Sequence, residues 1–397
     1  MKISVLLSIC LALVLTNVVA CDDTSPSDGD ADGDTDGDSD GDTDGDTDGD
    51  VDGDTDGDAD GDTDGDADGD TDGDADGDTD GDADGDADGD ADGDGFIPGT
   101  NDVNWHDPNY RDVLGSEQNV GYVVQSDNEV IEYLHINGQG TVDICIDLNG
   151  HIGVTIRNCE IEGCIEAGIS GLNDVSGLTV EHNYIHDNYN QDGDIDDPDQ
   201  TGQGVRVTSW EPPTPPSEWS GGPIIIRNNW FARNANQIQI SALGGFDGLE
   251  VTDNFGEHPI GPFTGGNGSF ISVSYSWNLR NSKILRNNIY TDHQTMIDND
   301  FDAEDVISIY ESSGASDNLL EIAHNHMYGH GANCSATGIN ADDHGDTPDA
   351  PNGSEGYADT HDNVIINVGQ SSMGVYSNTS IWQNNLILYA SDYEGIG

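Results

Sequence analysis

The chain has 397 residues, with 80 Asp and Glu against 9 Lys and Arg and a formal net charge of −71. That balance excludes nucleic acid as a partner, because phosphates are held by the Lys and Arg this chain lacks. The acid is unevenly placed: 36 carboxylates and no base lie between Asp22 and Asp94, while all 12 His and all 6 Trp follow Gly95. The composition describes an acidic tether followed by a unit long enough for a sizeable core.

Residues 1–20 read as one Lys, an apolar run and then small residues. This is the pattern of a secretory signal, since the run is short and is followed by acid rather than a basic stop. The chain is expected to be exported. Val18-Val19-Ala20-Cys21 resembles the lipobox of bacterial lipoproteins. The resemblance implies that Cys21 is acylated, becomes the N-terminus and anchors the protein to a membrane at the cell envelope or surface. The alternative is an ordinary cleavage site just before Cys21.

Residues 21–98 are expected to be a disordered linker. Between Asp28 and Asp94 the unit Asp-Gly-Asp occurs 17 times with a four-residue period. Almost nothing apolar is available to offset the entropy of ordering it. The recurring Asp-x-Asp-x-Asp-Gly resembles extracellular calcium-binding repeats, but the apolar or Cys anchors of such repeats are missing. Weak, collective Ca²⁺ screening is the expectation.

Residues 99–397 form the folded unit, which shows short β-rich runs separated by Gly, Asn and Asp and no sustained helical periodicity. One phrase recurs: aliphatic, two residues, Asn, one residue, aliphatic. It occurs around Asn183, Asn229, Asn287, Asn325 and Asn384, and more weakly at Asn254 and, with Cys in the Asn place, at Cys159. Between the copies stand a second kind of short strand, such as Gly204–Val207, Gln237–Ile240, Phe270–Val273 and Val306–Ile309. An irregular period of about two dozen residues is the mark of a solenoid. An Asn at a fixed bend tolerates a left-handed turn and can bond to its copies above and below. The phrase resembles the right-handed parallel β-helix of the pectin-lyase-like superfamily, over residues 120–390. The expected fold class is therefore all-β, a right-handed parallel β-helix; a sandwich or propeller would leave the fixed Asn unexplained.

The loop from Asn188 to Asp199 places oxygen ligands at Asn188, Asn190 and Asp192, Gly193 at the turn, and Asp194, Asp196 and Asp199 beyond. It resembles the calcium loops of EF-hands and dockerins, with Asn for Asp at position 1 and Pro198 where a helix would follow. The resemblance implies Ca²⁺ binding, with Asp194 through its carbonyl and Asp196 through water. His324, His326 and His330 lie close together, but Asn325 is the bend residue, so the first two should diverge. His182 holds the place of His324, which suggests a surface column rather than a ligand set.

β-Helix enzymes of the resembled superfamily act on polysaccharides in a groove along one face. The second strand type would line that groove, and Trp210, Tyr275, Trp277, Tyr310 and Glu311 are the candidate sugar-binding residues. Asp342, Asp343 and His344 faintly resemble the paired Asp and His-Gly elements of polygalacturonases. If cleavage occurs, Asp342 and Asp343 would be the general acid and the water-activating base. An Asx-rich turn is the plainer reading of the same residues. A lyase is disfavoured, because neutralising a uronate normally takes Arg or Lys and this unit has few. Cys159 and Cys164 are the expected disulfide, with Cys145 a buried thiol in an inward column. Only eight residues follow Tyr389, so the last coil is expected either to be truncated or to be capped by something else. The expected function is binding of extracellular polysaccharide or cell-surface glycan. A glycoside hydrolase, a calcium-assisted lyase and a structural or adhesion protein remain as alternatives.

Overall fold

The computed structural model describes residues 103–173, 175–189, 202–209, 222–243, 247–261, 268–292, 295, 305–330, 337–342, 356–368, 371–375 and 380–388. Two parallel sheets wind through these residues: one of nine strands and one of 16 strands. The nine-stranded sheet, face 1, begins with Val130–Glu132, Thr155–Arg157 and Leu178–Glu181 and runs to Ile381–Gln383. The larger sheet has two limbs. Face 2 holds Tyr184–His186, Trp230–Ala232, Phe255–Glu257, Asn288–Tyr290, His326–His330, Val364–Val368 and Leu386–Leu388. Face 3 holds Gln203–Thr208, Asn236–Ser241, Ile271–Ser274, Ile307–Tyr310, Thr337–Asp342 and Ser371–Val375. His135–Asp147 and Glu160–Leu172 are long enough to run through both limbs, which joins them. The chain passes from face 1 to face 2 to face 3 in each turn. It is a parallel β-helix.

Alternation along each strand sends every second side chain inward, and parallel register stacks like on like. On face 1 the inward column is Ile131, Ile156, Val180, Ile226, Val251, Ile284, Ile322, Thr360 and Trp382. Face 3 stacks Ile146, Ile169, Val205, Ile238, Ile271, Ile307 and Ile339 in the same way. Each such aliphatic, fully buried, is worth about 1.5–3 kcal/mol. The face 2 column contains Gly256, where an added Cβ would lie 1.9 Å from the Phe270 ring. Glycine there makes room for one of the largest buried side chains.

The bend from face 1 to face 2 is built as one residue with positive φ followed by Asn. His182, Asn228, Asp253, Arg286, His324, Asp362 and Asn384 take the left-handed place. The next residue is the ladder: Asn183, Asn229, Asn254, Asn287, Asn325, Asn363 and Asn385. From Asn183 to Asn363 each backbone N–H donates to the Oδ1 of the Asn one coil on, and all seven amides reach back to a face 1 carbonyl of the preceding coil. In the last coil the ladder residue is Asn385 and not the expected Asn384. Trp382, rather than the aliphatic Ile381, occupies the inward place, which moves the phrase by one. Asn363 was hidden because Thr360 stands for its aliphatic. At the other end Cys159 replaces Asn: its N–H donates to Asn183 Oδ1, and its thiol reaches the Arg157 and Ile131 carbonyls.

The disulfide joins Cys145 to Cys164, and Cys159 is the buried free thiol, which corrects the expected pairing. The residue above Ile169 is Ile146, because the register shifts between Asn137 and Ile144. Cys145 is thereby turned toward Cys164 on the next coil, while Cys159 is committed to the Asn ladder. Burial pushes the Cys159 thiol up to about 12. Cys334 lies outside the described residues. In the last described coil Ile381, Leu386, Ile387 and Leu388 are exposed.

Candidate functional site on face 3

The outward side of face 3 alternates with its isoleucine columns. One row reads Asp147, Ser170, Arg206, Gln239, Ser272, Ser308 and Asn340, coil by coil. A second reads Thr208, Ser241, Ser274 and Tyr310, with Asp342 next in the backbone register. Short polar side chains make a low floor, and neighbouring coils bond across it, as Ser274 does to Ser241 at 3.1 Å.

The aromatic edge of this floor is set by a second ladder that the sequence did not announce. After three of the face 3 strands comes one residue with positive φ: Ala242, Tyr275 and Glu311. The following positions are Leu243, Ser276 and Ser312. Leu243 N–H donates to Ser276 Oγ at 3.1 Å, and Ser276 N–H donates to Ser312 Oγ at 2.9 Å. Both hydroxyls donate back into the strand ends, to Ser274 and Tyr310 carbonyls. This repeats the logic of the Asn bend with serine. It fixes where Tyr275 and Tyr310 stand: their rings meet edge to face with centroids 5.5 Å apart and planes at 86°. Tyr275 is 43% exposed. Burial and the adjacent Tyr275 and Glu311 push the Tyr310 phenol up to about 12, so at neutral pH it is a neutral hydrogen-bonding group and a poor proton acceptor.

Of the residues expected to bind sugar, the structure brings Tyr275, Tyr310 and Glu311 together. Glu311 is 7% exposed and lies at the base of the pair. Trp277 does not belong to the surface. It is 6% exposed, so its ring is buried, and its backbone N–H donates to the Leu243 carbonyl at the bend. Asp342 takes the register position beside Tyr310 on the next coil. Trp210, Asp343 and His344 lie outside the described residues.

Asn188, the first expected calcium ligand, is turned into the interior. Its Oδ1 accepts the Cys164 N–H, and its amide donates to the Ile161 carbonyl and Asn234 Oδ1. It belongs to a short Asn column at the corner after face 2, five residues past the main ladder, and its amide is not available to an ion. Asn190, Asp192, Asp194, Asp196 and Asp199 lie outside the described residues, as does Cys21. His182 and His324 hold equivalent left-handed places at the bend, as expected of a surface column.

Asp305 is a residue that sequence reasoning missed. It precedes Ile307–Tyr310, is 3% exposed, and accepts from Thr337 N–H at 3.2 Å and from the Asn340 amide at 3.0 Å. Burial raises its carboxyl above the usual range. Its loop position carried no periodic signal.

The electrostatics of the unit are decided by its cations. All eight Lys and Arg after residue 95 are paired with a carboxylate: Arg111, Arg157, Arg206, Arg227, Arg233, Arg280, Lys283 and Arg286. Of these, Arg206 belongs to the face 3 floor, where it is held by Glu166 at 3.1 Å and donates to Ser170 Oγ. The floor is therefore neutral to acidic.

No protein-family model matches the chain, and no curated protein sequence matches it. Three solved chains match. One is an alginate lyase from Paenibacillus sp. str. FPU-7, 15% identical, with an alignment covering 67% of this chain and 80% of that one. Its TM-score is 0.38, at which the likeness carries no argument; the fold rests on the strand register above.

Proposed function

We propose that this protein binds an uncharged polysaccharide along face 3 and that the acidic tether holds the β-helix away from a membrane anchored through Cys21. The observation that carries the reading is the exposed Tyr275–Tyr310 pair above a floor of Ser, Gln and Asn. Aromatic faces stack on sugar rings, while hydroxyls and amides bond to their hydroxyls. The pairing of every cation in the unit argues for a glycan without uronate groups, since an anionic chain would find no unpaired Lys or Arg to receive it. A neutral Tyr310 phenol supports recognition over proton abstraction.

A hydrolase is the second reading, and Asp305 favours it. Its raised carboxyl beside the floor is the form a general acid takes. Ca²⁺ in the loop of Asn190, Asp192, Asp194, Asp196 and Asp199 belongs to the same proposal, without Asn188. A glycan array with mass spectrometry of the products tests the set. Retained, uncut neutral glycan supports binding, shortened chains support hydrolysis, and retention of uronate polymers alone would refute the charge argument. For the anchor, Cys21→Ser should move the protein from the membrane to the soluble fraction.

A further inference from the structure

Face 2 carries a cluster that the glycan reading does not use. At its N-terminal end the outward positions are His135 and Glu160 in one column and Glu162 and His186 in the other, paired coil on coil. A strap formed by residues 103–113 lies over this face. His106 stacks on Trp230 with centroids 4.6 Å apart, and Trp105 and Tyr110 pack against Tyr184. Beneath the strap the side chains of His135, Glu160 and His186 are 6%, 0% and 5% exposed, and Glu162 is 16% exposed.

Each imidazole Nε2 lies against both carboxylates, through different oxygens of each. His135 Nε2 lies 3.3 Å from Glu160 Oε2 and 2.8 Å from Glu162 Oε1. His186 Nε2 lies 3.4 Å from Glu160 Oε1 and 3.8 Å from Glu162 Oε2. The His186 distances exceed the 2.7–3.2 Å or so of an ordinary N–H···O bond. The 3.3 and 3.4 Å separations to Glu160 are near the edge of a tetrahedron with metal–ligand bonds of about 2.0–2.1 Å, which is roughly 3.3–3.4 Å, while the 2.8 and 3.8 Å separations to Glu162 lie on either side of it.

The proton on His186 is placed by its other nitrogen. Nδ1 is 2.7 Å from Asp187 Oδ2, and Arg233 grips both oxygens of that carboxylate at 2.7 Å. A carboxylate held by two guanidinium N–H groups is ionised and accepts, so Nδ1 is the protonated nitrogen. Nε2 faces Glu160 and Glu162, where either a proton or a metal cation can lie between nitrogen and oxygen. A carboxylate behind a histidine is the usual support of a metal-ligating imidazole. Charge points the same way. Glu160, Glu162 and Asp187 face Arg111 and Arg233, which leaves one negative charge without a formal counterpart.

We propose that His135, Glu160, Glu162 and His186 bind one divalent metal ion of the zinc class. Imidazole nitrogen with carboxylate oxygen selects such ions over Ca²⁺ or Mg²⁺. The ion would cross-link three successive coils beneath the strap and stabilise the first turns of the helix by mass action. Asp187 is a positioning residue for His186, and Arg111 closes the site from the strap.

The test uses the full-length protein stripped with chelator, loaded with Co²⁺ and desalted. The tether's carboxylates release cobalt during desalting, so retention reports a closed site. Wild type should keep about one cobalt per chain, with visible d–d bands of four-coordinate intensity that one equivalent of Zn²⁺ abolishes. The His135→Ala/His186→Ala variant should lose both signals. Asp187→Asn should weaken the metal by roughly ten- to a hundredfold. The control His324→Ala/His326→Ala should keep the bands. Wild type that retains no cobalt overturns the proposal whether or not any variant folds, and leaves Arg111 as the counter-charge of Glu160. Retention of the bands by the His135/His186 variant overturns it equally.

Discussion

The Oδ1 atom of Asn229 accepts two hydrogen bonds from Asn183, one from its backbone N–H and one from its side-chain amide, each 3.0 Å long. Both residues are at most 2% exposed, so no water is at hand to replace either bond. The same pair of bonds recurs from coil to coil, and this is why one residue type marks the bend along the stack.

Replacing Asn229 by Ala strands the Asn183 N–H and amide and removes the donor to the Val180 carbonyl. Buried unsatisfied groups cost about 1–3 kcal/mol each. A loss of at least about 3 kcal/mol is expected from urea unfolding curves. At the last coil, Asn385→Ala should cost more than Asn384→Gly, because Asn384 contributes only a left-handed backbone. The reverse order would restore the phrase in its original register.

Peptide mapping without reduction should recover Cys145 linked to Cys164. Cys159 should resist alkylation at pH 8 in the native protein and react once urea exposes it, because burial keeps the thiolate from forming. A linked peptide of Cys159 and Cys164 would contradict the register of the first coils.

Tyr275→Ala and Tyr310→Ala should each weaken glycan binding about tenfold, or 1.4 kcal/mol, in titration calorimetry. Tyr310→Phe should lose less, since the ring remains. Trp277→Ala should behave differently. It empties a buried site, which costs about 3–5 kcal/mol of stability, and at temperatures where it remains folded its glycan affinity should be near that of wild type. Weak binding by a folded Trp277→Ala would return that ring to the groove.

Asp305 gives a pH signature with a definite sign. Its folded carboxyl is raised by burial, so the native state holds a proton that the unfolded state has already released. Its contribution to stability is full below the ordinary Asp value near 3.8 and is lost as pH rises through the raised value. The Asp305→Asn variant lacks that slope. Relative to wild type it should gain stability between about pH 4 and 7, measured as urea midpoints at both ends. A constant difference across the range would show that Asp305 is not carrying a displaced proton equilibrium.

The sequence alone determined the parallel β-helix, because stacking identical coils writes itself as periodicity. Ile at the inward places and Asn at the bend must recur if each coil is to bury and bond to the next, and recurrence is legible without coordinates. The aromatic edge of face 3 was half legible: Tyr275 and Tyr310 follow from their place at the ends of face 3 strands. The burial of Trp277 does not, since it depends on how one irregular bend folds back. The pairing of Cys145 with Cys164 also lay beyond reach, because a register shift between Asn137 and Ile144 decides it and such a shift leaves no compositional trace. Only the tertiary structure assembled His135, Glu160, Glu162 and His186. They come from three coils, up to 51 positions apart in the chain, and nothing in their local sequence distinguishes them from a solvated strand face. What joins them is the parallel register, which sets neighbouring coils about 4.8 Å apart and turns residues distant in sequence into nearest neighbours.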